Sequence, residues 1–360
     1  MRLPNKGGGM RENIEIRSNV ERSHTEAGFT LIELLASMVI FMVVSSAIYG
    51  VLQVARTSRG AVSNQVQLTK NVRLGLNLIG RDTYNAGFGY PLKNAVILRD
   101  NRVSSLLGVP PDTNTARDTV PPIIAGNNIT VNTFSQAANV RTDQMTLLFK
   151  DSSFNPGGGG QPLKVSANTV SSIDEITISS GSNSVCRVND LMLIVGSGGN
   201  YTLGVATSLS GSNKVLFANG DPLNFNHTGT SGELHTVGPV SMFRVKMATY
   251  FVTGDGILTR REFGNAPPPA PAFVDEPLVY GVENFQIAYI MDDGSEVSNP
   301  SAGPDGVAGT SDDDQAELAA VRQIRLTITV RTTELDARGQ PVTVTDTATF
   351  STRNLGYDAS

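Results

Sequence analysis

One uninterrupted apolar stretch dominates the pattern along the chain. Leu34 to Val54 reads LLASMVIFMVVSSAIYGVLQV without a charge, and Phe29 to Ile32 extend it to about 26 residues, against the roughly 20 needed to cross a bilayer as a helix. Beyond it, Val62, Val66, Val72, Leu76 and Ile79 recur near helical spacing, and Leu68, Leu74 and Leu78 widen the apolar face. The pattern predicts one helix from Phe29 to about Asp82, roughly 80 Å long at about 1.5 Å per residue. Residues 29–54 form its membrane-spanning half and residues 55–83 an amphipathic half suited to packing under a head. Gly60, Gly75 and Gly80 weaken the second half, and Arg56 to Gly60 mark a candidate break at the membrane surface. Asn85-Ala86-Gly87-Phe88-Gly89-Tyr90-Pro91 ends the helix.

From residue 84 to 360 the pattern shifts to period two. Candidate strands are Gln144 to Lys150, Glu175 to Ser179, Asp190 to Val195, Thr202 to Thr207, Lys214 to Phe217, Ser241 to Val252, Ile257 to Phe263, Val282 to Ile290, Val321 to Thr332 and Pro341 to Thr352. The clearest is Arg322 to Arg331, where Ile324, Leu326, Ile328 and Val330 alternate with Arg325, Thr327, Thr329 and Arg331, one face buried and one wet. Gly254-Asp255-Gly256 is a hairpin turn between two of them. Residues 90–144 carry the weakest pattern and read as an insertion or peripheral loop region. Pro267-Pro268-Pro269-Ala270-Pro271 reads as a stiff spacer. The expected class is α+β, a long N-terminal helix packed under a large β-rich head, with no fixed-period repeat.

Composition narrows the class of function. The net charge is −5 and Lys and Arg are scattered, so the basic stripe of a nucleic-acid binder is missing. Cys186 is the single cysteine, which leaves the fold to packing alone, without an internal disulfide. Residues 1–28 form a hydrophilic leader with five basic residues (Arg2, Lys6, Arg11, Arg17, Arg22) against four acidic ones (Glu12, Glu15, Glu21, Glu26). Met10 is an alternative start. A secretory signal places its cleavage site after the apolar run. Here the conspicuous Gly28-Phe29 junction precedes it, so cutting there leaves the anchor on the mature protein.

Glu33 is the one charge inside the apolar run. A carboxylate in hydrocarbon is costly and calls for a partner. Cleavage between Gly28 and Phe29 creates an α-amino group four residues away, on the same or a neighbouring subunit. The other reading is a Glu near one end of the span snorkelling to water.

Catalytic chemistry finds no constellation. The histidines are His24 in the leader and His227 and His235 in a polar region, and no zinc spacing, phosphate loop or serine elbow is present. Gly157 to Gly160 lack the Lys that a phosphate loop requires. Cys186 reads as a small semi-apolar residue beside a strand. No enzymatic activity is expected. The acidic region 292–314 holds Gly303-Pro304-Asp305-Gly306 followed by Gly309-Thr310-Ser311-Asp312-Asp313-Asp314. Its glycines permit the curl that calcium needs, but an EF-hand's closing Glu is missing. A solvated acidic turn between two strands is the competing reading.

EAGFTLIELLASMVIFMVVSSAIYG resembles the class III signal of type IV prepilins and type II secretion pseudopilins. The resemblance implies that a membrane-embedded prepilin peptidase cuts after Gly28 and N-methylates Phe29. It implies too that Glu33 sets register by pairing with an adjacent subunit's terminal amine, with the apolar helix in the filament core. Ala27 departs from the Lys or Arg of many members. Gly50 stands where many major pilins have a kinking Pro, a soft point in the helix, since Gly costs about 1 kcal/mol against Ala. Further on, LNLIGRDTYNAGFGYP, NDLMLIVGSGGNYTLGVAT, ATYFVTGDGILTRREFG, GVENFQIAYIMDDG and VRQIRLTITVRTTE follow one another much as in PilW-type minor pilins, which are similar to J-type minor pseudopilins. The acidic loop is similar to the calcium loop of major pseudopilins, with Asp305, Asp312 and Asp313 in the matching places.

These resemblances imply a minor pilin that helps initiate or cap a type IV pilus. Its partners would be prepilin peptidase, other minor and major pilins and the inner-membrane assembly platform. It would sit in the bacterial inner membrane with a periplasmic head, then in the pilus, without nucleic acid. A minor pseudopilin of type II secretion is the first alternative. A tethered adhesin head is the second, and a shallow aromatic or charged pocket, not visible in the sequence, would favour it. If the acidic loop takes calcium, the ion should raise the melting temperature, and Asp305→Ala should abolish the rise. An unchanged melting temperature, in parent and variant alike, would contradict the calcium reading.

Overall fold

The computed structural model describes residues 28–91, 96–108, 117–169, 173–179, 182–264, 271–300, 315–335 and 339–355. The chain divides into two compact units, one ending at Arg56 and the other beginning at Thr57. In the first unit the described residues are the start of helix α1 (Leu31–Asn85) and the three residues before it. Its large apolar side chains, from Phe29 to Val54, are exposed. The helix is long and apolar enough to cross a membrane.

The second unit holds the remainder of α1 and a β-rich head. After α1 come β1 (Val96–Ile97), α2 (Arg102–Leu107), β2 (Ile123–Val131), β3 (Arg141–Lys150), β4 (Leu163–Thr169) and β5 (Ile173–Ile178). Next are β6 (Leu191–Gly196), β7 (Tyr201–Val205), β8 (Ser208–Ser210), β9 (Lys214–Ala218), α3 (Glu233–Thr236) and β10 (Pro239–Val252). The chain continues through β11 (Ile257–Phe263), β12 (Phe273–Tyr280), β13 (Val282–Met291), β14 (Glu296–Val297), α4 (Gln315–Ala320), β15 (Val321–Leu335) and β16 (Pro341–Ser351). A long apolar helix followed by a large β-rich domain is the expected α+β class.

The strands form two sheets, one of twelve strands and one of four in the order β14-β13-β15-β16. The 14-residue β10 organises the larger one. Its first part pairs β6 and β4, and its second part pairs β3 and β11. In the smaller sheet, Ile324, Leu326, Ile328 and Val330 of β15 are all fully buried, as alternation requires. The hairpin turn between β10 and β11 closes through Gly256, whose φ of 73° suits a residue without Cβ. Side chains stitch one sheet to the other. Asp143 of β3 accepts the Ile287 amide of β13 at 2.7 Å, and Asn132 Nδ2 donates to the carbonyls of Val282 and Glu283 at 2.8 and 2.9 Å. Groups at the β13 edge that β14 leaves unpaired thereby find partners.

Both sheets close on α1. Val72, Leu76 and Ile79, at i, i+4 and i+7, are at most 3 % exposed and pack with Ile123, Leu147, Tyr250 and Phe285 in one cluster. Each such burial contributes about 1.5 to 3 kcal/mol. Val62, Val66 and Leu74 stay exposed, so the expected apolar face is narrower than its sequence pattern. Nor is there a break at residues 56–60, since α1 is helical throughout. Gly75 and Gly80 turn out to be contact points. A Cβ at Gly75 would lie 2.6 Å from Val279 of β12, and one at Gly80 would run into the Phe350 ring of β16.

Residues 90–144, expected to be an insertion or peripheral loop region, are not peripheral where they are described. Val96, Leu98, Val103, Val120, Ile123 and Ile124 are buried core, and β2 pairs with β3. Short segments separated by polar turns hid this role.

The last turn of α1 lacks a basic residue and contains Asp82, a charge that the helix dipole disfavours at this end. Arg260 of β11 supplies the cation. Its Nε lies 3.0 Å from Asp82 Oδ2, to which the Tyr250 hydroxyl also donates at 2.7 Å. All three side chains are buried. Burial, then the adjacent Asp82 carboxylate, pushes the Tyr250 phenol far above its ordinary range. Burial alone would lower the Arg260 guanidinium, but Asp82 and Glu262 outweigh it and raise it.

Three outcomes follow for urea unfolding of the full chain in non-ionic detergent. Gly80→Ala should destabilise the head by about 1 to 2 kcal/mol, because overpacking outweighs the gain in helix propensity. Gly60→Ala, with nothing within 4 Å of its Cβ, should be neutral or stabilising. Asp82→Asn should cost about 3 kcal/mol by stranding part of the Arg260 charge. A loss below about 0.5 kcal/mol would show that Glu262 and Glu276, 2.8 and 3.3 Å from Arg260 Nη1, suffice to hold Arg260.

Candidate functional site

The first residues before α1 carry the charge that the sequence singles out. Gly28 and Phe29 precede the helix, and Phe29 is 87 % exposed. Thr30 caps it, because the Glu33 amide donates to Thr30 Oγ1 at 3.3 Å. In return, the Thr30 amide and hydroxyl both donate to Glu33 Oε2 at 3.0 Å. This is a reciprocal capping box, in which two donors that a helix start leaves unpaired find partners.

The box sets the rotamer of Glu33. The side chain folds back toward the start of the helix, where Phe29 lies, rather than forward along the span. Its second oxygen, Oε1, accepts nothing among the described residues, so the carboxylate keeps acceptor capacity for a cation. Thr30 was not singled out by the sequence reading, although Thr-x-x-Glu before an apolar run is the signature of such a box. Gly50 lies within α1 with nothing within 4 Å of its Cβ.

Asp305, Asp312 and Asp313 lie outside the described residues. Among the described residues, no group of three or more His, Cys, Asp or Glu is placed to hold a metal ion. His227 Nδ1 sits 2.8 Å from Glu233 Oε2, and Arg117 lies 3.3 Å from the other Glu233 oxygen. Arg244 bridges Asp151 at 2.7 Å and Asp190 at 3.4 Å, with its guanidinium over the Phe154 ring. These clusters tie neighbouring segments of the head together. Cys186 is buried, and burial followed by the nearby Asp190 charge pushes its thiol up to about 12, away from nucleophilic chemistry.

Residues 23–49 match the family model described as the prokaryotic N-terminal methylation motif. Among curated proteins, none matches the chain. The matched segment contains the Gly28-Phe29 junction, the Thr30–Glu33 box and most of the exposed apolar half of α1. Motif, helix and β-rich head together support a membrane-associated type IV pilin-like or pseudopilin protein, processed by prepilin peptidase and assembled in the pilin manner.

Proposed function

We propose that this chain is a minor type IV pilin, cut after Gly28 and N-methylated at Phe29, which helps to initiate or cap a pilus. Before assembly it resides in the inner membrane with its head in the periplasm; afterwards it resides in the filament. The Thr30–Glu33 box carries this reading. It holds a carboxylate at the very start of a bare apolar helix, turned toward the position at which cleavage creates an amine.

The same residues suggest how assembly proceeds. Extraction from the bilayer replaces lipid contacts along residues 29–54 with contacts to like helices, a change whose net driving force comes from packing and polar pairing rather than from hydrophobicity. In an apolar bundle, Glu33 Oε1 takes the terminal amine of a neighbouring subunit, and that pair fixes the register. Val62, Val66 and Leu74, exposed on the second half of α1, offer further apolar surface to neighbouring major and minor pilins. A large head in which two sheets close on the helix suits a scarce initiating or tip subunit better than a repeating one. The motif and fold are equally those of a pseudopilin, and co-purification with pilus or with secretion subunits separates the two.

Two substitutions at one position test the pairing. Glu33→Gln keeps a side chain suited to the capping box but removes the charge, whereas Glu33→Ala removes both. Membrane insertion and leader cleavage should survive in each, and incorporation into sheared filaments should fail in each. Normal incorporation of Glu33→Gln, with failure of Glu33→Ala alone, would reduce Glu33 to a helix cap and contradict the proposed pair.

A further inference from the structure

The last turns of α1, the end of β3, the middle of β10 and the chain after β16 enclose an open cleft of about 760 Å³. Its charge runs against that of the chain. Arg81, Lys150, Lys246, Arg260 and Arg353 line it against only Asp82 and Asp151, in a protein of net charge −5. Both carboxylates are buried and already engaged, Asp82 by Arg260 and at 3.4 Å by the largely exposed Arg81, and Asp151 by Arg244. Lys150 and Lys246, by contrast, form no ion pair among the described residues. The Lys150 ammonium lies over the Phe243 ring, 5.4 Å from its centre.

Two aromatic rings stand exposed beside these cations, Tyr84 at 44 % and Phe88 at 48 %. Tyr84 is fixed in place. The Arg353 guanidinium lies 5.8 Å from its ring centre and donates to its hydroxyl, while Asn354 Nδ2 donates to its carbonyl at 2.9 Å. Asn85 and Ser152 add neutral hydrogen-bonding groups to the lining. Large apolar rings left in water next to unpaired cations need an explanation, and a ligand that uses both supplies it.

We propose that this cleft binds an anionic polysaccharide, with Tyr84 and Phe88 against sugar faces and Lys150, Lys246 and Arg81 on its carboxylates. Several features select this class. The cations come from separate elements, α1, the end of β3, β10, β11 and the chain after β16, which suits repeated charges better than a single phosphate. An acidic peptide would gain most by adding a strand to an open backbone edge. Here that edge is taken, since the Lys150 amide donates to the Phe88 carbonyl at 2.8 Å and the Asp151 amide to the Arg244 carbonyl at 3.0 Å. A single-stranded nucleic acid needs a basic groove that tracks a long backbone, whereas these cations stop at one cleft on an acidic molecule. The inference holds for a pilin and for a pseudopilin alike. It restores weight to a ligand-binding head, for which a charged and aromatic pocket is the favouring feature.

The test uses the full chain in non-ionic detergent and four probes of matched length: a polyuronate oligosaccharide, neutral dextran, poly-glutamate and oligothymidylate. Saturable binding of the polyuronate is expected, with the other three at least about tenfold weaker, the size of one lost charge-assisted contact. Lys150→Gln with Lys246→Gln, and separately Phe88→Ala, should each weaken polyuronate binding by about tenfold or more. Lys246→Gln alone serves if the double variant does not fold. Absent polyuronate binding, equal binding of poly-glutamate or oligothymidylate, or affinity unmoved by the lysine variants would each overturn the assignment.

Discussion

The head depends on how closely the second half of α1 approaches its two sheets. Val72, Leu76 and Ile79 form the buried stripe, and each contributes about 1.5 to 3 kcal/mol by leaving water. That stripe reaches its partners because Gly75 and Gly80 hold no side chain where Val279 and Phe350 sit. Two glycines cost the helix about 1 kcal/mol each, less than the burial they permit. The Asp82–Arg260 pair then fixes the end of the helix on β11, where the helix's own last turn offers no cation. Remove the close approach, and the contacts that joined the sheets through the helix open to water.

What the sequence made legible follows from this logic. Strands with strict alternation, such as β15, were readable because one face is wet and the other dry. The apolar run of α1 was readable from length alone. Less legible were elements whose pattern is set by long-range contacts. β2 begins with Ile123, Ile124 and Ala125 buried together, is exposed at Asn127 and Asn128 and ends in half-buried Ile129 and Thr130 and exposed Val131, so no single period marks it. β12 alternates weakly because much of its surface is exposed. The glycines of α1 looked like flaws because propensity is a local property, whereas their use lies in Val279 and Phe350, more than two hundred positions away. The same limit hid the basic cleft, whose lining comes from five separate segments of the chain.

At the other end of α1 the balance is reversed. The large apolar side chains from Phe29 to Val54 are exposed, and that apolar surface is the largest demand that the first unit's described residues make on their surroundings. In the proposed function a bilayer meets that demand before assembly and a bundle of like helices meets it afterwards. Glu33 is the group proposed to distinguish these two environments. The capping box gives it two hydrogen bonds within its own chain while leaving an oxygen available, so one residue both starts the helix and presents a charge. The matched methylation motif and this geometry converge on one short segment.

The claim at the centre of this account is that Phe29 becomes the terminus of a filament subunit. Mass spectrometry of sheared surface filaments tests it most directly. The account requires an N-terminal peptide that begins at N-methylated Phe29. Protein that retains residues upstream of Phe29, or that never appears in the filament fraction of either a pilus or a secretion system, would contradict it.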